Sequence, residues 1–388
     1  MGRVKIVHLT SAHLYNDTRI FAHECRSLAN HGYDVVLVAP AADGMGDVID
    51  GVRFKQIRKY RGRAQRATKT VVDAYRSAME EDAAVYHLHD PELLPIALLL
   101  HAQGKRVVYD AHENVAEQIR SSLWIPRGFR SLAAYTFERL ERFGARRFAA
   151  VIAANSDIYE HFKEYRNDVV ELNNYPIPSE LGGYLPPDRP RTENLVVDFG
   201  GMSPHTLPGA IVQAMGRIAP KLQARLVLGG RVFSEELLKH CSTLPGWNRV
   251  HHTGRVRRAE MMRYLKRASI SVVLYSREPN HFGIGSNRFF ESLAAGLPVV
   301  TPDFPNWRKI VEKIGCGIPV APENPGQIAD AITYLFTHPN EATQMGNRGQ
   351  EAIMNGFNWC KEELKLLQLY QRLVADSRAA AVKGERSS

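Results

Sequence analysis

Short apolar runs recur through the first half of the chain, separated by segments with helical periodicity. Residues 4–9, 35–38, 85–88, 106–109, 150–153 and 169–172 read as strands. Between them, residues 18–30 place Phe21, Cys25, Leu28 and Ala29 on one side of a helix that Gly32 stops. A second helix covers 92–102, and Asn155-Ser156 caps a third that runs to about 164. Brief apolar strands alternating with helices predict a parallel sheet covered on both faces. The rhythm breaks at 176–194, where Pro176, Pro178, Gly182, Gly183, Pro186, Pro187 and Pro190 mark a linker.

The alternation then restarts. Strands are predicted at 195–199, 224–228, 270–274 and 298–300, with shorter ones near 250 and 318. Helices are predicted at 208–218, 234–241, 258–267, 286–295, 306–313, 325–336 and 341–355. The fold class is therefore α/β, with two doubly wound Rossmann-like domains facing a cleft. The expected divisions are 1–175, a linker at 176–194, and 195–358. A helix at 359–375 packs back on the first domain, and a disordered polar tail occupies 376–388. In open α/β sheets ligands sit beyond the carboxyl ends of the strands, so two such domains fit a two-substrate transferase. A periplasmic-type binding protein has the same outline, but the opening residues lack the shape of a cleavable signal.

Composition adds three restrictions. With 44% hydrophobic and 23% charged residues, a chain of 388 residues builds large cores and is not a disordered or disulfide scaffold. The surplus of 50 basic over 41 acidic residues, net +9, favours an anionic partner such as a nucleotide phosphate or an acidic lipid surface. Cys25, Cys241, Cys316 and Cys360 lie far apart with no CxxC, which predicts free thiols and no structural metal. The longest apolar run, 93–100, is interrupted by Pro95 and too short to span a bilayer. The expected location is cytoplasmic. Basic residues crowd 53–76, with Asp73 the one acid; this reads either as peripheral contact with the anionic inner face of the membrane or an acidic acceptor, or as a plain solvated face. That stretch has almost no interleaved aromatics, so nucleic acid is not an expected partner.

Several strand ends carry polar groups. The loop from Thr10 to Arg19 contains no glycine, so GxGxxG is absent after the first strand; no GxxxxGK[ST] occurs either. His13, Asp17 and Arg19 are candidate ligand contacts there; the plainer reading makes Asp17 a helix cap and leaves Arg19 on an exposed face. His89-Asp90-Pro91-Glu92 follows a strand, and either cap chemistry or ligand contact accounts for it. His112, in Asp110-Ala111-His112-Glu113, orients a polar substrate or satisfies a buried hydrogen bond. Gly200 and Gly201 either allow close approach of a phosphate or simply make a tight strand–helix turn, and Leu228-Gly229-Gly230-Arg231 makes a similar turn. The richest segment is 275–302. Gly285, Ser286, Asn287 and Arg288 open a helix suited to a diphosphate, and Glu291 is a ribose acceptor. An Arg288–Glu291 ion pair is the rival explanation.

Taken together, these segments resemble the family 4 retaining glycosyltransferases of GT-B type, in the glycogen-synthase-like superfamily, over about residues 3–374. The resemblance rests on Tyr15-Asn16-Asp17-Thr18-Arg19-Ile20-Phe21, His89-Asp90, Asp110-Ala111-His112-Glu113 and, most specifically, the run from Ser286 to Val300. It implies a hexosyl- or related glycosyltransferase of polysaccharide or glycoconjugate biosynthesis. No cofactor is implied; a nucleoside-diphosphate sugar, with UDP or GDP, is the co-substrate. Gly200, Gly201, Arg231, Arg255, Gly285, Ser286, Asn287, Arg288 and Glu291 would bind it. His112 would reach the transferred sugar as the catalytic residue. His13, Asp17, Arg19, His89 and Asp90 would line the side of a glycan, lipid-linked or small-molecule acceptor. No metal is implied. Two departures stand out. The first glutamate of the family's pair maps to Gly283, and the basic pair that meets the sugar-donor phosphates maps to Gly201 and Thr206. Arg288, Arg231 or Arg255 would have to compensate; otherwise the chain is a weak or inactive homologue acting as a sugar-nucleotide-binding or assembly subunit.

Overall fold

The computed structural model describes residues 3–42, 44, 46–60, 62, 65–122, 125–178 and 193–385. The linker residues 179–192, Arg61 and Arg63 of the basic stretch, and the last three residues of the tail lie outside them. The chain divides into two units, residues 1–174 with 360–388, and residues 175–359.

The N-terminal unit holds an eight-stranded sheet. Its strands are β1 Lys5–Leu9, β2 Asp34–Pro40, β3 Val48–Ile49, β4 Val52–Ile57, β5 Val85–Leu88, β6 Val107–Ala111, β7 Ala150–Ala153 and β8 Val169–Glu171. Their order is β3-β4-β2-β1-β5-β6-β7-β8, parallel throughout except for the β3–β4 hairpin. The direction of winding reverses between β1 and β5, which pair with His8 opposite His87. The loops after these two strands therefore border the switch-point crevice where such sheets bind ligands.

The C-terminal unit has six parallel strands: β9 Leu195–Asp198, β10 Arg225–Gly229, β11 Val250–Gly254, β12 Ile270–Val272, β13 Val299–Pro302 and β14 Gly317–Val320. The order β11-β10-β9-β12-β13-β14 puts the switch point between β9 and β12. Successive strand residues feed opposite cores. Val196, Leu226 and Val272 pack in one, while Val197, Val227 and Val299 pack in the other. A sheet buried on both faces explains why these strands lack an alternating polar pattern.

Sequence periodicity locates most of these elements. It overlooks the hairpin at 48–57 and the helices Val71–Glu81, Val115–Ser121 and Arg127–Ala145. In the basic stretch, Arg53 pairs with Asp34 at 3.0 Å and Glu81 at 3.4 Å, and Lys55 pairs with Glu80. Part of that charge is thus neutralised by acids from outside 53–76. The final helix, Trp359–Glu385, runs beyond the predicted end at 375. Ala379-Ala380-Ala381, the strongest helix formers, account for the extension into the expected polar tail. Leu366, Leu369, Tyr370 and Leu373 are buried on it, whereas Leu364 is exposed. The Tyr370 hydroxyl bonds His87 Nδ1 at 2.7 Å, and Asn173 N donates to Glu362 at 2.9 Å. Among the described residues no helix is long and apolar enough to cross a membrane.

Candidate functional site

Each unit gathers polar side chains at its switch point. In the N-terminal unit they form a buried network around Asp110, the penultimate residue of β6. Arg19 donates to both Asp110 oxygens, from Nε at 2.8 Å and Nη2 at 2.6 Å. It also donates to the Leu172 carbonyl and contacts Glu24 at 3.2 Å. Its side chain is 4% exposed, so the exposed face expected for Arg19 is corrected. Asp17 does cap the helical segment, accepting from Arg19 N and Ile20 N. That segment, Thr18–Cys25, is wound as a π-helix, a form common at functional sites.

A carboxylate only accepts, so the histidine tautomers follow from the contacts. His89 Nδ1–H donates to Asp110 at 3.1 Å, and His89 Nε2 therefore accepts from His8 Nδ1–H at 2.9 Å. His112 Nε2–H donates to Asp110 at 2.8 Å, leaving its Nδ1 for a ligand. Burial alone would raise Asp110, but the Arg19 and His112 charges outweigh it and hold the carboxyl well below the usual range. Glu24 goes the other way: burial, then the Asp110 charge, push it well above. We read Glu24 as the neutral acid. Burial also depresses His8 and His87, and they stand as neutral imidazoles.

Asp90 does not cap the helix after β5, contrary to the simplest expectation. Its Oδ2 accepts from Thr10 Oγ1 and Ser11 N, both at 2.7 Å, and so ties down the loop after β1. His13 pairs with the other oxygen at 2.9 Å. Burial works against a charged His13, yet the hydrogen bond to Asp90 prevails and raises it to about 9. Of the residues expected to meet an acceptor, Arg19, His89 and Asp90 are buried and shape the site from beneath. His13, Asp17 and His112 remain partly accessible. Glu24, His8, His87 and Tyr370 were missed. The alternation His87-x-His89 at the end of β5 is the available signal, since extended backbone turns both rings to one face.

In the C-terminal unit the predicted sugar-donor residues follow the carboxyl ends of β9, β10, β11 and β12. Gly200 N donates to Asp198 at 2.9 Å. Gly201 has φ +76°, and a Cβ there would lie 2.6 Å from the Arg231 carbonyl oxygen. The glycines are thus demanded by a tight crossing of two loops. Arg288 forms a buried ion pair with Asp198 and sits over the Tyr275 ring at 4.7 Å. Glu291 instead accepts from Arg258 Nη1 at 2.7 Å. The rival Arg288–Glu291 pair is not formed; each finds a partner from another element, which the sequence spacing does not reveal. Ser286 caps the helix Asn287–Ala294, while Gly285 and Asn287 are exposed. Arg231 lies over Phe233, and Arg255 is exposed at the end of β11. Thr206 bonds the Gly201 carbonyl at 2.8 Å, so it closes the turn and supplies no charge.

No metal-ligand spacing is evident in the sequence, yet among the described residues three histidine–carboxylate groups converge: His8/Glu24/His87/His89, His89/Asp110/His112 and His205/Glu278/His281. A concavity of about 1020 Å³ is lined by Asn194, Gln223, Arg225 and Arg249 at the amino ends of β9–β11. That is the end of the sheet opposite the switch-point loops, away from the carboxyl ends where open α/β sheets bind ligands.

Comparison with known proteins agrees with this architecture. Residues 18–174 match the glycosyl transferase 4-like domain, and residues 187–352 match the glycosyl transferases group 1 family. An uncharacterized glycosyltransferase of Methanocaldococcus jannaschii is 26% identical over 165 residues, covering 42% of this chain and 40% of that protein's length. Among solved structures, sucrose-phosphate synthase of Thermosynechococcus elongatus superposes with a TM-score of 0.74 at 18% identity, covering 96% of this chain and 100% of that one. Anabaena HepE in complex with UDP-glucose gives 0.72 at 15%, covering 95% and 100%. WaaG, a glycosyltransferase involved in lipopolysaccharide biosynthesis, gives 0.71 at 13%, covering 93% and 98%. With both halves matched and two Rossmann-like sheets in place, the chain belongs to the family 4 glycosyltransferases of GT-B fold.

Proposed function

We propose that this chain is a retaining glycosyltransferase that moves a sugar from a nucleoside-diphosphate sugar to a glycan, lipid-linked or small-molecule acceptor. The observation that carries the reading is the switch point of the C-terminal unit. There Gly200 and Gly201, the capped helix start at Ser286 and the Arg258-held carboxylate of Glu291 lie beside one another's strands. Glu291 accepts from ribose hydroxyls, and the helix amides and glycine turn receive the diphosphate. In the N-terminal unit, His112 Nδ1 is the ring atom assigned to a sugar hydroxyl. In the reaction the bond from the anomeric carbon to the diphosphate oxygen breaks. A bond to the acceptor oxygen forms on the same face, and the acceptor proton passes to the departing diphosphate. Positive charge near that diphosphate lowers the barrier.

HepE, solved with UDP-glucose, makes that nucleotide sugar the first to try. Ligand-observed NMR against UDP-, GDP-, ADP- and dTDP-sugars tests the reading, with Glu291→Ala as control. The expected result is a selective signal lost in the variant, and nucleoside-diphosphate release abolished by His112→Ala. A folded chain that binds none of the panel overturns it. A second reading, a sugar-nucleotide-binding or assembly subunit, is favoured by the Arg288–Asp198 pair, which cancels the best-placed cation. Binding without turnover would select it.

A further inference from the structure

A helix that packs on a core needs one apolar face; a second apolar face turned to water calls for a partner. The helix Arg127–Ala145, between β6 and β7 in the chain, has two. Its inner face is complete. Ala134, Gly144 and Ala145 are buried, and Phe137 and Leu140 pack against the core. A Cβ on Gly144 would lie 2.7 Å from the Phe148 ring, so a close approach seats the helix on the unit. On the outer face Phe129, Leu132, Tyr135 and Phe143 are 65%, 63%, 58% and 48% exposed. Positions 129, 132, 136, 139 and 143 recur every three or four residues and make one outward stripe, with Tyr135 beside it. Folding of the unit does not account for that stripe.

The charge on this helix is one-sided. Residues 127–147 hold six arginines and two glutamates. Both glutamates are engaged elsewhere. Glu138 accepts from Arg120 of the neighbouring helix Val115–Ser121 at 2.6 Å. Glu141 is buried and accepts from the Tyr109 hydroxyl at 3.0 Å. The outward stripe carries Arg139 between Leu132 and Phe143, and Arg146 and Arg147 follow its end; all three are exposed. Arg147 lies over the Phe143 ring at 3.6 Å and donates to the Phe143 carbonyl at 3.0 Å. Apolar rings and guanidinium groups therefore share one surface.

A bilayer with anionic headgroups is layered in the matching way. Rings and Leu132 reach the acyl boundary, while arginine stems keep their charged ends among the phosphates. A second copy of the chain fits less well. Pairing this face with itself would set arginines against arginines with no acid to receive them. The basic stretch at 53–76 has less charge to offer, because Arg53 and Lys55 are paired with Asp34, Glu80 and Glu81. We propose that the outward face of the helix Arg127–Ala145 is a docking surface that lays the N-terminal unit on an anionic membrane. The helix is formed before it meets the bilayer, so docking does not have to order it. The inference stands on this helix and is independent of the transferase reading.

The test is flotation of the untagged full chain with vesicles of phosphatidylcholine, alone or mixed with phosphatidylglycerol. Binding to the mixed vesicles is expected, about tenfold or more above the neutral ones and weakened by added salt. Phe129→Ser with Leu132→Ser should reduce it by about tenfold or more, and so should Arg139→Glu with Arg146→Glu. All four positions are exposed, and an unchanged thermal transition confirms that the variants fold. Arg58→Glu with Lys59→Glu, exposed in the other basic stretch, should bind as the native chain does. Failure of the native chain to float with the mixed vesicles overturns the proposal. Binding lost in the Arg58 and Lys59 variant but kept in both helix variants also overturns it, and moves the contact to 53–76. Equal binding to both kinds of vesicle overturns the anionic assignment. A concentration-dependent dimer in sedimentation velocity, abolished by Phe129→Ser with Leu132→Ser, overturns it in favour of a second copy.

Discussion

Replacing Arg19 by Met separates charge from packing in the N-terminal network. The side chain is 4% exposed, and its partners Asp110 and Glu24 are fully buried. Met fills similar space but leaves the Asp110 carboxylate without its cation. Removing one member of a buried pair costs about 3–5 kcal/mol. For a unit of about 200 residues that corresponds to a fall in Tm of roughly 6–20 °C. Glu24→Gln is the contrast. If Glu24 is the neutral acid, its replacement by a neutral amide costs below about 1 kcal/mol, within the ordinary range for a conservative exchange. Because the chain has two units, one global transition would blur the effect. Hydrogen exchange of peptides from β1, β5 and β6 under increasing urea localises it. Arg19→Met should lower protection there and leave β9–β14 unchanged. The reasoning is refuted if Arg19→Met costs less than about 1 kcal/mol, or if Glu24→Gln costs as much as Arg19→Met.

Two further outcomes are expected. Gly201→Ala combines an unfavourable φ of +76° with a Cβ 2.6 Å from the Arg231 carbonyl oxygen. It should destabilise the C-terminal unit by about 2 kcal/mol or more and weaken nucleotide binding, read by thermal shift and calorimetry; a neutral result would show that the loop crossing relaxes. His13 should titrate near 9 by NMR and return toward 6.5 in Asp90→Asn. Since its folded value is raised, its stabilising contribution is complete below 6.5 and disappears as pH rises through about 9. Titration of His13 at its ordinary value in the native chain would contradict the Asp90 pairing.

Much of the architecture is legible because strand and helix alternate with a fixed rhythm. A run such as Val35-Val36-Leu37-Val38 needs burial on both faces, and only covered parallel sheets provide it. The hairpin at 48–57 escaped because Arg53 and Lys55 dominate it, and their acids lie at Asp34, Glu80 and Glu81. Site residues were recognisable as polar groups at strand ends, but their roles were not. Arg19 looks like an exposed first-turn residue until Asp110, 91 positions later, folds beside it. Arg288 and Glu291 are three apart on one helix, yet Asp198 and Arg258 claim them from other elements. Local spacing ranks possible partners; tertiary neighbours decide among them.

The N-terminal unit is discontinuous, for Tyr370 of its last helix packs against the His8 ring of β1 and bonds the His87 ring of β5. A ribosome emits that helix after the whole second unit. Until then the His87 ring lacks its phenol partner, and Leu366, Leu369 and Leu373, buried in the finished unit, are not yet in place. Vectorial synthesis therefore favours completion of the later-made unit first. A severed fragment ending at residue 174 would lack its own last helix, whereas a peptide spanning 360–375 has the contacts to restore it in trans.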